Sequence, residues 1–365
     1  MTGRGTVLVT GAAGTVGKYV VLELLSHGYR VRATDVGKRG DYANGHFSFY
    51  DGDLTSEEFC RRVTRGVDAV IHLAALIDVG LSWEALAPIN LNAVKTLYAC
   101  ASEAGARIFV HTSSGSIYAP TNKVRDESSR LKAVGEASPY ELTKILSEAT
   151  LYHARQSAKT PMANFAILRP SLIYGPQNKY LAAVYLGIAV VLHDLLGKDA
   201  PRLIGGPKTN MAHAEDVARA AIFLMEHPQT WGEAWNVADN TPYGFGSQIT
   251  IMMDAFGYKT SRLVLPLPGP GVISLLKPIY ERRKLLGAFN KILALEWKKM
   301  AERCIINPPF KPKVDREMTG FFGNHTIFDV RKLLGAGFAL KWPDFREGMK
   351  DVARWYIENG WVPRH

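Results

Sequence analysis

Short, nearly continuous apolar runs alternate along the chain with longer stretches in which apolar residues recur every three or four positions. The short runs are TVLVT from Thr6, YRVRATD from Tyr29, HFSFYDGD from His46, DAVIHLAA from Asp68, RIFVHTSS from Arg107 and NFAILRP from Asn164. Between them the helical period predicts helices from Gly17 to His27, from Pro88 to Glu103, and from near Pro139. Strands alternating with helices imply βαβ units and a parallel sheet covered on both faces. The expected fold is therefore α/β, a Rossmann doubly wound parallel sheet over residues 1–170 with a return at 207–240. A smaller, mostly helical C-terminal substrate region is expected from 171–206 and 241–365.

Beyond Pro170, LAAVYLGIAVVLHDLL from Leu181 reads as an apolar helix, followed by a GGPK turn and a helix over 214–226. The segment 266–304 opens with Pro and Gly and becomes basic and amphipathic through Lys277, Arg282, Arg283, Lys284, Lys291, Lys298 and Lys299. Such a stretch lies over a pocket, rests on a membrane surface, or is an ordinary solvated face. With 365 residues, 47% of them hydrophobic, the chain can bury a large core. Its net charge of +10 would attract a nucleotide, an anionic membrane or nucleic acid. No nucleic-acid recognition motif accompanies the basic residues, so no specific nucleic-acid partner is expected. Cys60, Cys100 and Cys304 are too scattered for a disulfide framework or a CxxC site. A cytoplasmic location, with at most peripheral membrane association, is expected, because no secretory signal or spanning segment is read. The histidines form no pair at ligand spacing with a carboxylate, so no metal is expected.

Chemistry enters just after the first strand. TGAAGTVG spaces Gly11, Gly14 and Gly17 three apart at the entry to a helix. Glycines there allow a tight turn and close backbone approach to a pyrophosphate, which meets the free N–H groups of the helix start. Asp35, ending the second strand, can accept hydrogen bonds from an adenosine ribose and would repel a 2′-phosphate, favouring NAD; Lys38 and Arg39 leave NADP open. In SPYELTK, Tyr140 and Lys144 stand four apart, on one helical face. A phenol titrates near 10 when unperturbed, and a neighbouring ammonium lowers that value, so Tyr140 can exchange a proton while a nicotinamide carries hydride. Ser113 and Ser114, at a strand end, can hold the substrate oxygen.

These pieces, with GDL at Gly52, HLAA at His72, SSGSIY at Ser113, LRPSLIYGP ending at Pro176 and HAEDVARA at His213, resemble the extended short-chain dehydrogenase/reductase superfamily. The similarity is to its NAD-dependent epimerase/dehydratase and 3β-hydroxysteroid dehydrogenase group, over about residues 5–240. The resemblance implies a catalytic set of Ser114, Tyr140 and Lys144, with Asn90 as a supporting polar group. It implies cofactor contacts from Gly11, Ala13, Gly14, Thr15, Val16, Gly17, Asp35, Asp53, Leu54, Leu73, Ala74, Ala75, Tyr140, Lys144 and Pro170. It also implies a homodimer. Tyr118-Ala119 replaces the family's usual Tyr-Gly.

Three reactions share this machinery: alcohol–ketone interconversion, sugar-nucleotide epimerisation and dehydration. Sugar-nucleotide members usually carry an arginine before the HAEDVA segment; here the chain reads KTNMAHAEDVA, with Lys208 nearby. The apolar stretches from Leu181 and from Leu263 suggest a pocket for a hydrocarbon-rich substrate, a sterol or 3-oxo lipid. The expected function is NAD(P)-dependent oxidation or reduction of such an alcohol. The alternatives are an epimerase or dehydratase with tightly held NAD, and a noncatalytic NAD(P)-binding subunit.

Overall fold

The computed structural model describes residues 4–36, 45–77, 80–179, 181–196, 200–272, 283–306, 308–314 and 324–363. Lys38, Arg39, Lys277 and Arg282 lie outside them. Seven parallel strands form one sheet: β1 (Arg4–Thr10), β2 (Tyr29–Asp35), β3 (Phe47–Asp51), β4 (Ala69–His72), β5 (Ile108–Thr112), β6 (Asn164–Pro170) and, numbered later in the chain, β11 (Ala234–Val237). Their order is β11-β6-β5-β4-β1-β2-β3, so the direction of winding reverses between β1 and β4. Loops leaving the carboxyl ends of those two strands diverge, and ligands of open α/β sheets bind in the crevice this leaves.

The period-2 alternation within each strand sorts side chains to two cores. Val7 and Val9, Ala69 and Ile71, Ile108 and Val110, and Ala166 and Leu168 face one layer. There they meet α1 (Thr15–Ser26) and α7 (Ala214–Glu226). Leu8, Val70, Phe109, Phe165 and Ile167 face the other, against α2 (Glu57–Thr64), α4 (Ala93–Glu103) and α5 (Pro139–Ser157). Both faces are covered, which is why the central strands read as unbroken apolar runs. The helix expected over 88–103 is longer and irregular. It begins as α3 (Trp83–Ala87), passes through a π turn at Pro88–Asn92 and continues as α4.

A separate core lies on the carboxyl side of the sheet. It gathers Val190 and Val191 of α6 (Leu181–Leu196), Ile249 and Met252 of α8 (Phe245–Ala255), Leu293 and Trp297 of α9 (Arg283–Arg303), and Phe345, Met349 and Tyr356 of α11 (Phe345–Glu358). α10 (Arg331–Gly335) packs with the sheet core through Leu333. Three short ladders complete the architecture: β7 (Leu172–Tyr174) pairs in parallel with β10 (Met211–His213), which contributes to both cores, β8 (Arg202–Gly205) with β13 (Val264–Leu267), and β9 (Lys208–Thr209) antiparallel with β12 (Tyr243–Gly244).

Candidate active site

A cavity of about 830 Å³ opens at the β1/β4 switch point. Its floor is the glycine turn. Gly11 has φ +68°, and a β-carbon there would sit 2.8 Å from the Ala74 backbone nitrogen. At Gly17 it would meet the Gly11 carbonyl oxygen at 2.2 Å, so helix α1 packs directly onto the turn. No side chain caps α1, whose first residues, Thr15, Val16 and Gly17, line the cavity. Asp35 is fixed by the same turn, one carboxylate oxygen accepting from the Ala13 N–H and the other from the Val36 N–H, both at 2.8 Å.

The chemical residues arrive on α5 and the β5 loop. Ser138 and Glu141 form a capping box at the start of α5, and Pro139 occupies the first turn, so the helix begins immediately before Tyr140. Tyr140, Lys144, Ser113 and Ser114 all line the cavity. The Lys144 ammonium donates to the Thr112 carbonyl at 2.9 Å, and burial brings it down from the usual 10.5 to about 8 against the opposing pull of Glu148. The Ser114 hydroxyl caps a short 3₁₀ turn, accepting from the Ser116 N–H at 3.2 Å and pairing with the Ser116 hydroxyl at 2.9 Å. The hydroxyls of Thr112, Ser113 and Ser171 are buried on the cavity wall without a hydrogen-bond partner among the described residues.

Beneath this layer the polar groups are structural. His72 and His111 stack at 5.6 Å. Burial, and secondarily the Lys144 ammonium, lowers both, His72 to about 3, so both rings are neutral. His111 Nε2 meets the Ser147 hydroxyl at 2.9 Å, and Ser147 donates to the Lys144 carbonyl, bracing that turn of α5. Glu148 and Arg169 form a buried ion pair at 2.6 Å, and Arg169 also donates to Tyr118, tying α5 to β6. Ala119 is buried and does not line the cavity, so the Tyr-Ala departure stays clear of the chemistry.

Of the expected cofactor residues, Gly11, Ala13, Gly14, Thr15, Val16, Gly17, Leu73, Ala75, Tyr140, Lys144 and Pro170 line the cavity. Asp35, Asp53, Leu54 and Ala74 do not. Asp53 instead caps the next turn by accepting from the Thr55 N–H, Leu54 is core, and Ala74 backs Gly11. Asn90 is buried in the π turn and acts at one remove: its amide both accepts from the Leu76 N–H at 2.9 Å and donates to the Leu76 carbonyl at 3.0 Å. It thereby fixes the loop that brings Ala75 and Ile77 to the cavity.

Among the described residues, the apolar stretches from Leu181 and Leu263 contribute nothing to the pocket lining. Ala189, Val190 and Val191 are core, because their helical spacing serves the second hydrophobic centre. Nor does any described residue of 266–304 cover the cavity. The apolar wall comes from Ile77, Leu172, Ile173, Phe328, Trp355 and Trp361. Phe328 is seated by Asn210, whose side chain bonds its N–H and carbonyl, and its ring occupies the space above Gly115. Trp355 and Trp361 meet edge to face at 4.9 Å. Lys18 and Gln177, hydrogen-bonded across the crevice, also line it. Asn210, Phe328, Trp355 and Trp361 were not legible in the sequence: an Asn, a lone Phe and two Trp carry no motif.

The uncapped helix start, glycine cradle and anchored acid at a strand-order reversal define a dinucleotide-binding α/β enzyme. The NAD dependent epimerase/dehydratase family matches residues 7–238, and the chain belongs to it, an NAD-dependent enzyme acting on a CH–OH group. It is similar to a sterol-4-alpha-carboxylate 3-dehydrogenase, decarboxylating, from Mus musculus, at 25% identity over 268 residues, 71% of this chain and 70% of the relative. It is also similar to a 3 beta-hydroxysteroid dehydrogenase/Delta 5-->4-isomerase from Mycobacterium tuberculosis, at 27% over 284 residues and 74% of each chain. Among solved structures, a UDP-glucose 4-epimerase from Thermotoga maritima shares the fold, with TM-score 0.69, 20% identity and coverage of 97% of this chain and 99% of that one.

Proposed function

We propose that the protein interconverts a secondary alcohol and its ketone on a hydrophobic substrate of sterol or 3-oxo lipid type. The observation that carries this reading is the wall of Ile77, Leu172, Ile173, Phe328, Trp355 and Trp361 lining the same cavity as Ser114 and Tyr140. Six large apolar side chains favour a hydrocarbon skeleton over a sugar diphosphate. Two further points support it. The chain lacks the arginine that sugar-nucleotide members place before HAEDVA, and Lys208 does not line the cavity. The similar sterol and 3β-hydroxysteroid dehydrogenases act, by name, on such alcohols.

NAD supplies the two-electron acceptor or donor when bound. In this reading the glycine turn and the start of α1 hold its pyrophosphate, and Asp35 holds the adenosine ribose. The Ser114 hydroxyl donates to the substrate oxygen and keeps it beside Tyr140. Tyr140 removes the hydroxyl proton during oxidation and returns it during reduction, so the oxygen never carries an unshared charge. The Lys144 ammonium, held by Thr112, favours the phenolate form of Tyr140 electrostatically.

The test is a panel of 3β-hydroxysteroids, long-chain 3-hydroxy acids and UDP- or dTDP-sugars with NAD⁺, following reduced nicotinamide by absorbance. NADH is expected with the hydrophobic alcohols. Tyr140→Phe should lower kcat by about 10²- to 10⁴-fold while leaving NAD⁺ affinity nearly unchanged. Turnover of a sugar nucleotide without net NADH, and none of the steroids or lipids, overturns the reading.

A further inference from the structure

Helix α9 has two apolar faces where a helix packed on one side needs only one. Leu293, Trp297 and Met300 are buried in the second core, and Arg303 pairs with Asp194 of α6. Beside this buried face, Leu285, Phe289, Ile292 and Leu295 are exposed to 50%, 46%, 58% and 51%. Their spacings of four, three and three residues place them on one stripe, an arc of roughly 120° at 3.6 residues per turn. Lys291 and Lys298 border the stripe, and Lys299 lies at its end. Over Arg283–Arg303 six basic residues oppose two acids, Glu296 and Glu302, which face Lys299 at 2.7 Å and Lys298 at 3.7 Å. At the Arg303 end, Leu195 and Leu196 of α6 add exposed apolar surface. Among the described residues, twelve of the seventeen exposed large apolar side chains fall between 195 and 305.

We propose that this face docks on an anionic lipid bilayer, with the Leu285–Leu295 stripe entering the headgroup–acyl boundary and the lysines meeting the lipid phosphates. Single exposed apolar residues need no explanation, whereas a row at helical spacing marks a contact surface. A protein partner is the weaker fit, because the centres of protein interfaces are depleted in lysine, while interfacial helices pair Phe and Leu with a basic border. No helix among the described residues is long and apolar enough to cross a membrane, so α9 lies on the bilayer rather than through it. This inference does not rest on the substrate reading.

The full-length protein would be sedimented with vesicles of phosphatidylcholine alone and of phosphatidylcholine containing one third phosphatidylglycerol. It should pellet with the anionic vesicles. F289E/I292E should weaken that binding at least tenfold, by placing carboxylates where apolar side chains insert. K291A/K298A should weaken it by roughly 30-fold on anionic vesicles only. Both variants should keep wild-type NAD⁺ affinity and melting temperature, since these side chains are exposed. A wild-type protein that stays in the supernatant with anionic vesicles, or an F289E/I292E variant that pellets like wild type, overturns the proposal. So does loss of a dimer in F289E/I292E by light scattering when the wild type binds no vesicle, which would assign the face to a second copy.

Discussion

The floor and the apolar wall line one cavity with Tyr140 but are built from different material. The floor is mainly backbone: the Gly11–Gly17 turn, the uncapped start of α1 and the loops after β4 and β5, all within the first 150 residues and seated on the sheet core. The wall is mainly side chain, and Phe328, Trp355 and Trp361 come from the far end of the sequence to join Leu172 and Ile173. A backbone cradle tolerates little change in chemistry or shape, because any added atom meets another backbone. A wall of side chains can be exchanged while the floor remains, which in the proposed reading separates recognition of the cofactor from recognition of the substrate.

The largest expected effect comes from the joint between the two. Glu148 on α5 neutralises Arg169 on β6, the strand leading into Ser171 and Leu172, and both partners are buried. Glu148→Ala should destabilise the protein by about 3–5 kcal/mol in denaturant unfolding, since it strands a buried guanidinium. A loss below 1 kcal/mol would mean the two parts do not depend on this pair.

Gly17→Ala then tests the floor alone. Its β-carbon would lie 2.2 Å from the Gly11 carbonyl oxygen, so the turn must move. NAD⁺ affinity should fall roughly 100-fold by titration calorimetry, as displacements near 1 Å cost in positioned sites. Trp355→Ala tests the wall: KM for the hydrophobic alcohol should rise about tenfold with NAD⁺ affinity unchanged. If Trp355→Ala weakens NAD⁺ as much as substrate, the two regions are not separable.

The smallest effect on stability is expected at Lys144. Lys144 is lowered by burial from 10.5 to about 8, so between those values the unfolded chain holds a proton that the folded protein has lost. Stability from this group therefore rises as pH climbs from 8 to 10.5, and below pH 8 the fold carries the full cost of a buried ammonium. Lys144→Met should abolish activity yet raise the melting temperature by a few degrees at neutral pH, partly offset by the lost bond to Thr112. It should also remove the rise in thermal melts between pH 8 and 10.5. An unchanged pH profile would place the buried charge elsewhere.

The sequence by itself determined what depends on local spacing. Alternating apolar runs specified the strands, because a strand covered on both faces needs an unbroken apolar run, and a triplet of glycines after the first of them specified a tight turn onto which α1 packs. Tyr140 and Lys144 share a face because a helix repeats every 3.6 residues. The tertiary structure alone decided the wall. The apolar stretch from Leu181 reads equally well as pocket or core, and its described side chains became core because α8, α9 and α11 close around them. Residues with no motif, Phe328 seated by Asn210 and the Trp355–Trp361 pair, became the lining instead. Periodicity reports that a side chain is buried, but which neighbour buries it depends on contacts between residues more than fifty positions apart, and local spacing carries no record of those.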